Sequence, residues 1–251
     1  MNKITHTVIT GADDRVLVND IIKLNATYPQ CIEWAILYFP EKEGSPRNPS
    51  KRWRTDFLDR SKCSKALHLC GKQIFRDILA KNERYEEFME EAEGYDKFQL
   101  NINSRKQIFT PDEVIEIYET LAWEGLHLIF QYHDGSKEVI DTYLSRYATE
   151  LQMHKVPDVT ILFDASKGTG VSPEVWSTPI KINGNPIPFG YAGGLNPNNI
   201  TEQLHGMYKA NQNYSFFIDM ESGVRTDNEL DLAKVENIIL KVELLKHGMI
   251  S

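Results

Sequence analysis

Three short apolar runs in the C-terminal third of the chain each end in small or acidic residues. They read VTILFD from 159, FGYAGG from 189 and FFIDMESG from 216. A run of this length, rich in β-branched and aromatic residues, is typical of a strand that is buried on both faces of a parallel sheet. Because aspartate, glycine and serine follow, we expect each strand to open into a loop that faces a ligand.

Strand-like and helix-like segments alternate along the chain, which indicates βαβ units and a parallel sheet. The candidate strands are 4–10, 32–39, 66–69, 98–102, 126–132, 159–163, 189–192 and 215–219. The clearest helix-like segments are 14–24, 72–93, 111–124, 136–151, 197–209 and 228–246, and the weakest are 52–60 and the region near 173–176. Eight such pairs predict an α/β protein with a single (β/α)8 TIM barrel domain over 1–251, a fold that typically takes about 250 residues.

Composition restricts the partners of this barrel. A net charge of −8 argues against nucleic acid as a partner but not against a small anionic ligand, which local dipoles can bind. Cys31, Cys63 and Cys70 form no metal-binding pattern, and an odd number of thiols suits a reducing cytosol. No apolar run is long enough to cross a bilayer, and the N-terminus lacks a signal-peptide core. We therefore expect a cytoplasmic protein without a membrane partner; its oligomeric state stays open.

Two loops with glycines follow the seventh and eighth strands, where barrels of this kind commonly bind phosphate. Gly193 and Gly194 let backbone N–H groups approach an anion, and Ser222 and Gly223 do the same. Either pair alone could simply form a turn. Both pairs in these positions favour a small phosphorylated ligand of the sugar type.

Carboxylates end the sixth and eighth strands. Asp164 would lie in the barrel mouth, where a partly buried carboxyl can act as a general acid; the alternative is a cap of the next turn. Asp219 is interpreted as a structural group that holds a neighbouring loop or a cation. Gly168 and Gly170 could form a flap over the ligand or merely a turn.

The loops after the first two strands hold the remaining candidates. Asp13 or Asp14 could be a base, although either is also a good N-cap for the helix that follows. Arg47, in the irregular segment 41–51, could pair bidentately with a carboxylate on a substrate. Other polar residues near strand ends that could line the mouth are His68, Gln99, Asn101, Gln131, His133 and Asp134. No zinc spacing, Walker motif or dinucleotide fingerprint occurs, so we expect no cofactor.

The same residues resemble the phosphoribosylanthranilate isomerase family. The similarity lies in Leu162 to Asp164 with the 168–170 GTG and Trp176, in AGGLNP at 192–197, and in Asp219 with SGV at 222–224. Weaker matches are 9–11, 45–47 and 99–100. The resemblance implies a cofactor-free Amadori rearrangement in tryptophan biosynthesis. An acid opens the ribose ring to a Schiff base, and a base then removes the C2′ proton.

Site roles follow from this resemblance. It implies Asp164 as the acid and Arg47 as the partner of the anthranilate carboxylate. It also implies a phosphate cradle made of Gly193, Gly194, Ser222 and Gly223, with Gly168 and Gly170 beside the substrate.

The sequence departs from the family where protons are transferred. Thr10 stands in place of the family's cysteine base, and a threonine hydroxyl is a poor base at neutral pH. Asn101 replaces a histidine of the fourth strand, and Glu221 replaces a serine, with Arg225 near enough in sequence to compensate its charge.

Three explanations of these departures stay open. The base has moved to Asp13, Asp14 or Cys70; the barrel runs another reaction on a phosphorylated ligand; or it binds one without turnover, as a sensor or scaffold. We expect an isomerase of this type, with Asp164, Thr10 and Asp13 as catalytic candidates.

Overall fold

The computed structural model describes residues 3–102, 108–150, 158–165 and 171–249, with the backbone alone for 147–150. Eight parallel strands close into a barrel, and the last strand pairs with the first. The strands are β1 Ile4–Thr10, β2 Ile32–Tyr38, β3 Ser64–Leu69, β4 Lys97–Leu100, β5 Leu128–Tyr132, β6 Val159–Asp164, β7 Phe189–Ala192 and β8 Phe216–Met220. The (β/α)8 barrel expected from the sequence is confirmed.

Helices follow the strands and cover the outside of the barrel. They are α1 Val18–Thr27, α2 Lys51–Arg60, α3 Gln73–Ala80, α4 Glu83–Ala92, α5 Pro111–Trp123, α6 Lys137–Glu150, α7 Ile200–Ala210 and α8 Leu232–Lys246. Outward-facing strand residues such as Trp34 and Ile36 are fully buried in the same hydrophobic core as Ile238 and Ile239 of α8. Within the described ranges, no helix has the length and apolarity that crossing a membrane requires.

Two predicted helix boundaries are wrong because capping interactions place them elsewhere. The segment 72–93 is two helices, since Lys81 adopts a left-handed φ of 45° and the Asn82 side chain then caps α4. The last helix begins at Leu232, after Asp231, whose carboxylate accepts from two N–H groups of its first turn. Residues 225–230 before it form a short antiparallel hairpin and not helix.

Two further expectations about the loops are corrected. Helix α1 starts at Val18, and its N-cap residue Leu17 makes no side-chain cap, so neither Asp13 nor Asp14 caps it. The weak helix near 173–176 does not form; residues 171–180 contain no helix, and a two-stranded hairpin, 181–186, leads into β7. The predicted helix at 52–60 does form, as α2.

The barrel interior is stacked in three layers. The middle layer is apolar and consists of Val8, Ala35, Ala66, Ile129, Leu162 and Phe217. Because strand side chains alternate between faces, residues two positions before or after these also point inward. We call Thr10, His68, Gln99, Gln131, Asp164 and Asp219 the upper polar layer. The lower polar layer consists of His6, Glu33, Ser64, Lys97, His127 and Thr160.

Candidate functional site

A cavity of about 330 Å³ opens at the C-terminal ends of the strands. The whole upper polar layer lines it, together with Arg47, Asn101 and the loops 192–196 and 219–223. This is the face on which barrel enzymes of this architecture carry their active sites. Of the predicted site residues, Thr10, Arg47, Asp164, Gly193, Gly194, Ser222 and Gly223 all line this cavity.

Asp219 is a buried carboxyl of this cavity with a strongly raised pKa. It is 7% exposed, and its Oδ1 accepts a hydrogen bond of 2.7 Å from the hydroxyl of Thr10. Burial raises the pKa of Asp219 to about 7; the Thr10 hydrogen bond opposes this, and the negative charges of Glu221 and Asp164 add to it. A carboxyl of this kind exchanges a proton readily at neutral pH.

Asp164 lies at the same height as Asp219, two strands away around the barrel. Both residues are in register with Ala192 of β7, which runs between β6 and β8. Two strand spacings separate their backbones by about 10 Å, and both side chains line the cavity. Asp164 is 5% exposed, and its Oδ2 accepts a hydrogen bond of 2.7 Å from Nε2 of Gln131.

His68 supplies a neutral imidazole to the cavity. It is 1% exposed, and its Nε2 has no hydrogen-bond partner within the described residues. Burial lowers the pKa of His68 to about 4, so the ring is uncharged at neutral pH.

A chain of side-chain hydrogen bonds runs from Gln99 towards β3. Nε2 of Gln99 donates to Oδ1 of Asn101 at 2.7 Å, and Nδ2 of Asn101 donates to Sγ of Cys70 at 3.2 Å. Burial raises the pKa of the Cys70 thiol to about 12, although the Asn101 hydrogen bond opposes this. Cys70 is outside the cavity lining as well. The geometry therefore weighs against Cys70 as the displaced base.

Arg47 reaches the cavity from the 41–51 loop, which lies on the active-site face as the sequence suggested. Its Nη1 donates to Oε1 of Glu221 at 2.7 Å, and its Nε donates to Oδ1 of Asn228 at 3.0 Å. Its backbone has a left-handed φ of 73°, and its N–H donates to Oδ2 of Asp13 at 2.6 Å. Arg47, which the sequence predicted to bind a substrate carboxylate, therefore already pairs with the carboxylate of Glu221.

Asp13 and Asp14 are engaged outside the cavity lining. Asp13 is 2% exposed, and its Oδ2 also accepts from Nη2 of Arg225 at 3.2 Å, which makes a buried ion pair. Asp14 accepts hydrogen bonds from the backbone N–H and the hydroxyl of Ser50 at the start of α2. Both carboxylates thus anchor loops. Arg225 forms its ion pair with Asp13, and the charge of Glu221 also acts on it, as the sequence suggested.

The two glycine loops touch each other at the rim of the cavity. A Cβ on Gly223 would lie 1.8 Å from the carbonyl oxygen of Leu195, so the close approach of the loops requires glycine here. The carbonyl of Gly193 accepts from the Ser172 hydroxyl, and that of Gly194 accepts from Asn196 and Asn199. The predicted flap residues Gly168 and Gly170 lie outside the described residues.

Sequence comparison finds relatives among curated proteins. The N-(5′-phosphoribosyl)anthranilate isomerases of Streptococcus pneumoniae strains Hungary19A-6 and JJA are each 27% identical to it over 149 residues, 57% of this chain and 69% of theirs. No protein-family model matches the chain.

Comparison of folds gives a similar result. A phosphoribosylanthranilate isomerase of Thermotoga maritima, 14% identical, superposes with a TM-score of 0.55 over 96% of this chain and 99% of its own. The chain is thus similar in sequence to curated isomerases of this name, at low identity, and similar in fold to one of them. A structure of the Amycolatopsis orientalis BexX/CysO complex gives the same TM-score at 10% identity, over 98% of this chain and 92% of that one. At such identities the structural likeness shows the fold alone.

Asp219 is a cavity residue that the sequence placed at the end of its strand but interpreted as a structural group. Its carboxyl accepts a hydrogen bond from Thr10 on the neighbouring strand. The signal was present, since Asp219 follows Phe217 by two residues just as Asp164 follows Leu162. The described residues contain no group of three or more His, Cys, Asp or Glu side chains that could hold a metal ion.

Proposed function

We propose that this barrel is an aldose–ketose isomerase that acts on a phosphorylated ribose derivative, with a reaction of the phosphoribosylanthranilate isomerase type. The observation that carries the proposal is the pair of buried carboxyls, Asp164 and Asp219, at one height on either side of β7. The sequence similarity to N-(5′-phosphoribosyl)anthranilate isomerases supports it.

Asp164 would act as the general acid. Its proton passes to the ring oxygen of the ribose, the C1′–oxygen bond breaks, and the nitrogen lone pair forms the Schiff base. The Gln131 amide, which donates to the other side of the carboxyl, holds it in place for this step.

Asp219 would act as the base that removes the C2′ proton, in place of the missing cysteine. The electrons of that C–H bond form the enolamine, which becomes the aminoketose when C1′ takes up a proton and the 2′-hydroxyl loses one. A base with a pKa near 7 combines a large ionised fraction with adequate strength at neutral pH. Thr10 would then position the base through its hydroxyl and would not itself exchange a proton with substrate.

The two glycine loops would hold the phosphate. A peptide N–H points away from the C=O of the same peptide plane. The carbonyls of Gly193 and Gly194 are occupied by Ser172, Asn196 and Asn199, so the N–H groups of Gly194 and Leu195 face the opposite side. These N–H groups, together with those of Ser222 and Gly223 on the adjoining loop, can donate hydrogen bonds to a phosphate.

The deciding experiment is an isomerisation assay on two substrates generated in place, phosphoribosylanthranilate and its 2-aminobenzamide counterpart. We expect turnover of at least one, and losses of about 10²–10⁴-fold in kcat for Asp164→Asn and Asp219→Asn. Asp56→Asn, which changes an exposed carboxylate on α2, is the matched control and should leave kcat unchanged.

Binding separates an enzyme from a sensor or scaffold. A reduced product analogue should raise the Tm of the wild-type protein and of both aspartate variants, because it binds the folded state selectively. A shift in Tm without turnover of either substrate would overturn the isomerase in favour of a phosphosugar-binding barrel. If neither a shift in Tm nor turnover is observed, the proposed phosphate site is overturned as well.

A further inference from the structure

The wall of the cavity presents mostly hydrogen-bond acceptors to a ligand. The amide nitrogens of Gln99 and Gln131 already donate, to Asn101 and to Asp164 respectively, at 2.7 Å each. The carbonyl oxygens of these two glutamines accept no hydrogen bond from the described residues, and both side chains line the cavity. The carboxyl of Asp219 lines the same cavity. A ligand that brings N–H or O–H donors would satisfy this wall.

Arg47, the cationic side chain that lines the cavity, already makes hydrogen bonds within the protein. Arg47 donates to Glu221 and Asn228, and among the described residues no lysine or second arginine lines the cavity with it. The carboxylate of Glu221, which pairs with Arg47, and the proposed base Asp219 line the same space. A carboxylate on the ligand would meet these groups and would have to share one guanidinium with Glu221.

We infer that the group attached to the sugar is uncharged and carries hydrogen-bond donors, such as a carboxamide, where the family resemblance implies a carboxylate. This inference rests on the proposed function, whose sugar and phosphate it keeps. Within that function it assigns Gln99 and Glu221 as specificity-determining residues. Gln99 accepts from the donor group, and Glu221 excludes a carboxylate by occupying Arg47.

The test compares two reduced product analogues that differ in a single group. Both carry the same phosphorylated ribulose-derived chain, on 2-aminobenzoate in one and on 2-aminobenzamide in the other. Isothermal titration calorimetry on the wild-type protein should give a Kd about tenfold lower for the carboxamide, because the carboxylate leaves protein acceptors unpaired.

Two variants should move this preference in a defined way. Glu221→Gln frees Arg47 and should tighten binding of the carboxylate analogue by about tenfold, with little effect on the carboxamide. Gln99→Leu removes an acceptor and should weaken binding of the carboxamide analogue alone. Glu229→Gln makes the same chemical change as Glu221→Gln outside the cavity, where Glu229 pairs with Arg15, and should change neither Kd.

Each outcome decides the inference. Tighter binding of the carboxamide, reversed or abolished by Glu221→Gln, supports it. Equal binding, or tighter binding of the carboxylate by the wild-type protein, overturns it and leaves the proposed isomerase standing. If neither analogue binds, the proposed function fails and this inference with it.

Discussion

The two polar layers of the barrel interior have similar composition but opposite degrees of pairing. In the lower polar layer, Glu33 accepts from Lys97 at 2.5 Å and from Ser64 at 2.8 Å, and His6 lies 3.7 Å away. In the upper polar layer, Asp219 accepts a hydrogen bond from the Thr10 hydroxyl, and the nearby cations Arg47 and Arg225 pair with Glu221 and Asp13.

The same burial therefore has opposite consequences for the two carboxyls. Burial alone would raise the pKa of Glu33, but His6 and Lys97 outweigh it and lower the value to about 2. Burial prevails at Asp219, whose pKa rises to about 7. The charge-paired Glu33 carboxylate stays ionised at the bottom of the barrel. Asp219, at the top, has no cation paired with it among the described residues and can exchange a proton. The difference separates a stabilising end from a reactive end within a single barrel.

The largest expected effect comes from breaking the pairing at the bottom. Lys97→Met leaves the Glu33 carboxylate buried beside an apolar side chain, and should lower the free energy of unfolding by about 3 kcal/mol in urea titration at pH 7. The double variant Glu33→Gln/Lys97→Met removes both charges and should recover most of that loss. Equal losses of stability in the single and double variants would contradict the view that charge pairing in the lower polar layer stabilises the fold.

Acid pH tests the same pair in the unmodified protein. Glu33 has a folded pKa of about 2, below the value of roughly 4.3 for an unfolded chain. Its contribution is therefore fully present above about pH 4.3 and is lost as the pH falls towards 2. Between pH 5 and pH 2.5 the wild-type protein should lose about 2 kcal/mol more stability than Glu33→Gln. Parallel pH dependences would show that Glu33 is not charged in the folded state.

At the top of the barrel, removal of a charge should stabilise the protein. The folded pKa of Asp219, about 7, lies above the unfolded value of roughly 3.9, so ionisation costs stability as the pH rises between them. Asp219→Asn should raise the free energy of unfolding clearly at pH 8 and change it little at pH 4. Loss of stability at both values would mean that Asp219 is a structural group, as first interpreted from the sequence.

Much of the barrel could be predicted from sequence because its signals are local. Buried strands such as VTILFD, and the capping box of Thr110 and Glu113 at the start of α5, depend on neighbouring residues alone. The start of α1, which the sequence placed too early, involves a contact across the fold. Asp14 binds Ser50 and so cannot cap α1.

The candidate site divides in the same way. The position of Asp164 follows from its place two residues after Leu162 at the end of an apolar strand. The pairs that decide its chemistry do not follow, because Thr10 meets Asp219, and Arg47 meets Glu221, only after β1 closes against β8. A sequence pattern can place a side chain at the mouth of a barrel, but not its partner from the other end of the chain.

The smallest effect, and the most specific to the upper layer, is expected from the Thr10 hydroxyl. Its hydrogen bond stabilises the Asp219 carboxylate, so Thr10→Val should raise the pKa of Asp219 further, by up to about 1 unit. If Asp219 is the base, the acid limb of the kcat/KM profile should move to higher pH by that amount, while the plateau at high pH changes little. Thr10→Ser keeps the donor and should restore the wild-type limb. An unmoved limb with a uniformly lower plateau would instead assign Thr10 a packing role, and would remove the link between β1 and the proton transfer at β8.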